Sequence, residues 1–190
     1  MADSTSASSP LPPIDVDRLA SRDPDALLEV FEHDQHPTMR ARLPVLTAMV
    51  EDLVARYGDA RPDVGGLRAR IARLTETVTW HMQKEEQLLY PYIRALVEAE
   101  RAGTALPRGP FGTVRNPIRM VVNEHLAIDQ ELREICAAIA DAANRDPSSD
   151  ACRAVLREIT ALGTFLHGHM TLEHEVVYPR AEEIEGRLPV

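Results

Sequence analysis

Lysine is nearly missing from this 190-residue chain. Lys84 is the single lysine among 21 Lys+Arg, a skew that reflects base composition rather than chemistry. Basic residues as a whole are outnumbered, with 30 Asp+Glu and a formal charge of −9. Such a surface argues against nucleic acid as a partner, since phosphate binding needs a basic face. It argues equally against docking on an anionic membrane. Cysteine is scarce too: Cys136 and Cys152 share no paired spacing, which excludes a disulfide framework and points to a reducing, cytoplasmic setting. No apolar run approaches the 18 or so residues needed to span a bilayer. The start, Met1-Ala2-Asp3-Ser4, lacks the basic and apolar regions of a secretion signal, so none is expected.

What is present is helix. Residues 1–22 are rich in Ser, Ala, Pro and Asp and predict a flexible N-terminal tail. Asp23-Pro24 reads as an N-cap followed by Pro at the first helical position, so one domain is expected over 23–190. Four stripes then follow alternating steps of three and four. The first carries Met39, Leu43, Leu46, Val50 and Leu53, and the second Leu67, Ile71, Leu74, Val78 and, further on, Leu88. The third carries Ile118, Val121, Val122, Ile128, Leu132 and Ile139, and the fourth Val155, Ile159, Leu162, Leu166 and Val176. Breaks rich in Gly, Pro, Asn or Asp separate them at 58–66, 103–117 and 144–150. The pattern predicts an all-α fold, an up-down-up-down four-helix bundle. Pro37, Pro44, Pro91 and Pro179 fall inside the helical patterns and should each disturb the helix locally.

The informative positions are those where the stripe turns polar. His36 precedes Met39, and His81 and Glu85 follow Val78. His125 lies between Val121 and Ile128, and His169 and Glu173 follow Leu166. Burying a polar group without partners costs roughly 2–7 kcal/mol. Six such groups would exceed the net stability of about 5–15 kcal/mol of a whole domain. They must satisfy one another or bind something, and imidazoles with carboxylates suit iron, manganese or zinc. His81/Glu85 and His169/Glu173 are both i, i+4 pairs, each on one helix face. Each is followed by Tyr-Pro (Tyr90-Pro91, Tyr178-Pro179), and each is preceded by a single His at matched distance, 45 residues from His36 to His81 and 44 from His125 to His169. Two similar half-sites predict a two-metal centre. His33, three residues before His36, is the alternative on the first helix; His36 is the one in phase with the stripe.

At these six residues, over about residues 24 to 186, the chain resembles the hemerythrin-like (HHE cation-binding) family. The stretch from His81 to Pro91, HMQKEEQLLYP, is similar to the branch of repair-of-iron-centres proteins. The resemblance implies a bundle holding two iron ions, a non-haem di-iron centre with an oxo or hydroxo bridge. Glu85 and Glu173 would be the bridging carboxylates and the four His the terminal ligands. It implies a protein that binds or reacts with dioxygen, peroxide or nitric oxide under oxidative or nitrosative stress. That role could be reversible carriage or sensing, turnover with a redox partner, or donation of iron to damaged iron-sulfur clusters. Residues off the stripe carry blander expectations. His167 and His174 are read as solvated, Glu86 and Glu124 as a solvated face by default, with support of the ligands they adjoin as the alternative, and Tyr90 and Tyr178 as packing residues nominally opposite the ligand face.

Overall fold

A computed structural model describes residues 11–58, 62–146 and 149–189. In chain order the helices are α1 (Val16–Ala20), α2 (Pro24–Val30), α3 (His36–Tyr57), α4 (Pro62–Gly65), α5 (Leu67–Lys84), α6 (Tyr90–Ala102), α7 (Arg115–Arg145), α8 (Asp150–Leu172) and α9 (Tyr178–Arg187). No strand occurs among the described residues. The fold is all-α. Helices α3, α5, α7 and α8 pack in chain order, and α3 closes the ring against α8. At one end α6 packs against α2 and α9.

Three of the junctions are not loops. Phe31–Gln35 joins α2 to α3, Glu85–Leu89 joins α5 to α6, and Glu173–Val177 joins α8 to α9; each is one π-helical turn in an otherwise continuous rod. The amides of His36, Tyr90 and Tyr178 reach back five residues to the carbonyls of Phe31, Glu85 and Glu173. Proline follows each of the three, as Pro37, Pro91 and Pro179. A proline ring crowds the carbonyl four residues earlier and offers no N–H, and widening the preceding turn relieves both problems. Pro44, by contrast, stays within α3.

A π-turn adds one residue, about 100° of helical phase, and so moves the buried stripe. Leu88, expected on the core stripe, is 46% exposed, and its neighbour Leu89 is buried instead. The other stripes hold: Met39, Leu43, Leu46, Val50, Leu53, Ile71, Leu74, Val78, Ile128, Ile139, Val155, Ile159 and Leu162 are all buried.

The N-terminal expectation is corrected in part. Residues 1–10 of the expected tail lie outside the described residues. From residue 11 onward the chain packs on the bundle. Asp15 caps α1 by accepting from the Arg18 amide at 3.1 Å, Leu19 is buried, and Ile14 lies against Gly168. Three apolar side chains among the polar ones (Ile14, Val16, Leu19) supply enough contact to dock the segment. Ordered structure therefore begins before Asp23-Pro24, although α2 does start at Pro24 with Asp23 in the capping position.

The long connection after α6 is also held down. Gly103 ends α6 at φ 64°, a left-handed conformation that favours glycine. The Glu185 carboxylate then accepts from Thr113 Oγ1 (2.6 Å), the Val114 amide (2.8 Å) and the Tyr92 hydroxyl (3.1 Å).

The apolar interior is divided. One buried cluster runs from Met39 to Leu53, Leu67 to Met82, Ile128 to Ala142 and Cys152 to Met170. The other comprises Leu27, Leu28, Phe31, Leu89 to Ala99, Val121 and Leu172 to Ile184. Buried polar side chains lie at the junction of the two: Gln35, His36, His81, Glu85, His125, His169 and Glu173.

Candidate metal centre

All six polar stripe residues are buried and come together, each no more than 3% exposed. His36 follows the first π-turn, while Glu85 and Glu173 open the second and third. His81 and His169 lie one turn earlier on α5 and α8, and His125 comes from α7, which runs without a π-turn. His33 is exposed and pairs with Glu29 at 3.1 Å, so His36 is the imidazole of the first helix that joins the cluster.

Two overlapping groups of donor atoms form. His81, Glu85, His125 and Glu173 each bring one atom within 4.8 Å of the others, as do His36, Glu85 and His169. Within them His81 Nε2 lies 3.1 Å from Glu85 Oε1, and His36 Nε2 lies 3.4 Å from Glu85 Oε2. Glu173 Oε2 lies 3.3 Å from His125 Nε2 and 3.4 Å from His169 Nε2. Every imidazole turns Nε2 inward. Glu85 Oε2, Glu173 Oε2 and His169 Nε2 are buried yet have no hydrogen-bond partner among the described residues. Buried acceptors left so cost about 1–3 kcal/mol each, and more when charged. The donor set and its orphaned atoms fit bound metal.

The outer nitrogens are supported in turn. His36 Nδ1 donates to Glu86 at 2.7 Å, His81 Nδ1 to Glu124 at 3.0 Å, and His169 Nδ1 to Gln35 Oε1 at 2.7 Å. His125 Nδ1 meets His174 Nε2 at 2.7 Å. Arg40 and Lys84 brace Glu86 and Glu124. Such partners fix the tautomer and the ring angle of a ligating imidazole. Glu86 and Glu124, expected on a solvated face, and His174, expected in solvent, are thus part of the site. Gln35 had no signal in the sequence beyond standing next to His36.

Two tyrosines complete the interior. The Tyr90 hydroxyl donates to Glu173 Oε1 at 2.8 Å and the Tyr178 hydroxyl to Glu85 Oε1 at 3.2 Å. Phe31 packs edge-on against His169 at 4.7 Å.

Without a cation the charges are shared unequally. Burial opposes a positive His81, but the Glu85 charge and the Glu124 hydrogen bond outweigh it and hold His81 at about 10. Burial likewise opposes an ionised Glu85, yet His81 and His36 keep it well below the usual carboxylate range. Glu173 goes the other way, raised by burial and by the Glu85 charge. His125 is pushed down to about 3 by burial and the charge on His81, and burial also lowers His169. One ionised His81–Glu85 pair, with burial holding Glu173, His125 and His169 toward their neutral forms, is what this interior supports alone.

Residues 30–108 match the family model described as Hemerythrin HHE cation binding domain. The chain is 30% identical over 149 residues to the iron-sulfur cluster repair protein YtfE of Yersinia pseudotuberculosis (serotype O:1b), across 78% of this chain and 60% of that protein. It is 32% identical over 152 residues to the same-named protein of the PB1/+ strain, with the same coverages. It is 30% identical to that of Yersinia pestis Pestoides F over 149 residues, again across 78% of this chain and 60% of the relative. The chain spans about three fifths of the length of these curated relatives. No described helix is long and apolar enough to cross a membrane. The stretch that matches, residues 30–108, carries His36, His81 and Glu85 of the buried His/Glu layer, and it is there that the chain is similar to the hemerythrin HHE cation-binding family.

Proposed function

We propose that residues 23–190 form a hemerythrin-like, up-down-up-down four-helix bundle holding two iron ions. His81 and His125 would hold one ion, and His36 and His169 the other, with Glu85 and Glu173 between them. The pairing of helices α3, α5, α7 and α8 in a ring supports the bundle. The observation that carries the metal reading is the set of orphaned inward atoms, Glu85 Oε2, Glu173 Oε2 and His169 Nε2.

When bound, the irons supply one-electron chemistry and open positions for dioxygen, peroxide or nitric oxide. The chain supplies the rest. Apolar clusters on both sides keep the site dry. Glu86, Glu124, Gln35 and His174 fix the four imidazoles through Nδ1. Tyr90 and Tyr178 orient the two carboxylates and leave their second oxygens free to ligate. Burial raises both phenols well above their ordinary value, so they remain proton donors. The protein would act in the cytoplasm in oxidative or nitrosative stress. The name of its relatives, iron-sulfur cluster repair protein, favours a second reading, donation of iron to damaged iron-sulfur clusters.

Metal analysis of protein purified without added metal tests the centre. About two irons per chain are expected, with lower occupancy in His81→Ala and His169→Ala; an iron-free protein, or manganese in its place, rejects it. Mixing the reduced protein with dioxygen in a stopped flow then separates the roles. A stable, reversible oxygenated spectrum indicates carriage, and oxidation with peroxide consumption indicates turnover. Iron transfer to an apo-cluster protein indicates repair.

A further inference from the structure

Among the four Nδ1 supports, His174 differs in kind. Glu86 and Glu124 are carboxylates, each held by a basic side chain, and Gln35 is buried. His174 is an exposed, neutral-type acceptor with no second hydrogen bond among the described residues. An imidazole partner pushes less electron density onto its neighbour than a carboxylate does. His125, like His169, thus lacks a carboxylate partner, and it alone of the four is held by an exposed one.

His174 is flanked by two surface clefts. A surface cleft of 310 Å³ is lined by His125, Asp129, His167, Met170, Thr171 and His174, among others. Its wall reaches a cluster imidazole directly, and its rim carries imidazole and carboxylate groups that suit a hydrated divalent cation. A second cleft, of 270 Å³, lies on the other side of His174 against Val122, Tyr178 and Glu182. The His174 ring thus has room on both sides to swing away from His125. His125 also comes from the one helix of the ring that makes no π-turn and contributes a single residue to the cluster.

We propose that His174 is a positioning residue that makes His125 the exchangeable imidazole, so that divalent metal passes between cluster and solvent through the cleft these two residues line. The inference rests on the iron-binding reading above.

The test uses the full chain loaded anaerobically with ferrous iron, then mixed with excess bipyridyl, release being followed by absorbance. His174→Ala should release iron roughly ten-fold faster or more. His174→Gln, which restores a neutral acceptor like Gln35, should return the rate close to wild type, and His174→Glu should slow it. Thr171→Phe, which narrows the cleft without touching the pair, should slow both uptake and release. Thr77→Phe, in the separate groove between α5 and α7 lined by Trp80, Lys84 and Glu124, should leave them unchanged. Equal melting of the metal-free variants separates positioning from general damage. His174→Ala releasing iron at the wild-type rate overturns the proposal, as do equal effects of the two Phe variants. A wild-type chain that loads no iron fails at the earlier step, and it removes the iron-binding reading and this one together.

Discussion

Tyr90 donates its phenolic proton to Glu173 at 2.8 Å, from one half of the chain to the other. Tyr178 returns the same bond to Glu85, so each half of the site supplies the donor that orients the other half's carboxylate. Neither hydroxyl has water to fall back on, since both rings are buried. Tyr90→Phe removes the donor and leaves Glu173 Oε1 buried and unpaired, at a cost of about 1–3 kcal/mol. Urea unfolding should show that loss as a lower midpoint with an unchanged slope. An unchanged midpoint would mean that the hydroxyl contributes nothing.

These tyrosines also mark where sequence reasoning stops. In a regular helix Tyr90 lies five residues, or about 140°, from Glu85, and so faces elsewhere. The π-turn absorbs one residue and brings the interval to about 40°, which turns Tyr90 and Tyr178 into the site and Leu88 out of the core. The cluster itself was legible because no slip falls between its six residues and the apolar stripes they extend: His36 follows the first π-turn together with its stripe, and Glu85 and Glu173 open the other two. The prolines signalled disturbance but not its form. His174 and Gln35 were not legible as supports, and Glu86 and Glu124 only as neighbours of the ligands, because hydrogen bonding through Nδ1 depends on how the helices pack against one another.

The two carboxylates should respond differently to neutralisation in the metal-free protein. Glu85 is ionised and paired with His81, whereas Glu173 is protonated by burial beside it. Glu85→Gln breaks a buried pair and leaves the His81 charge with Glu124 alone, a loss of about 3 kcal/mol, the low end for a broken buried pair. Glu173→Gln replaces one neutral group with another of nearly the same shape and should cost well under that. Chemical denaturation after chelator treatment compares them directly, and equal losses would contradict the charge arrangement.

Metal binding should depend steeply on pH. His81 is held at about 10 and Glu173 lies well above its ordinary value, so both carry protons in the metal-free state near neutrality. Both must lose them to ligate, and a proton released on binding makes affinity rise with pH. Titration with ferrous iron under anaerobic conditions should show affinity climbing between pH 6 and pH 8, as well as release of more than one proton per chain in weakly buffered solution. An affinity that falls over this range would place the protons elsewhere.

The packed N-terminal segment offers a test in which local and global stability move apart. A Cβ on Gly168 would stand 3.0 Å from Ile14 Cβ, closer than side chains settle without one of them moving. Gly168→Ala improves α8 by up to about 1 kcal/mol of helix propensity. It also pushes Ile14 off its seat, so the bundle should unfold no earlier while the segment opens more often. Arg18 is exposed there, and trypsin should cut after it faster in Gly168→Ala than in wild type. Ile14→Ala should have a similar effect alone, because it removes the contact from the other side. Adding Gly168→Ala to Ile14→Ala should then change little, since residues that act through one contact are not additive. Fully additive cleavage rates would show that the segment is held by something other than the Ile14–Gly168 contact.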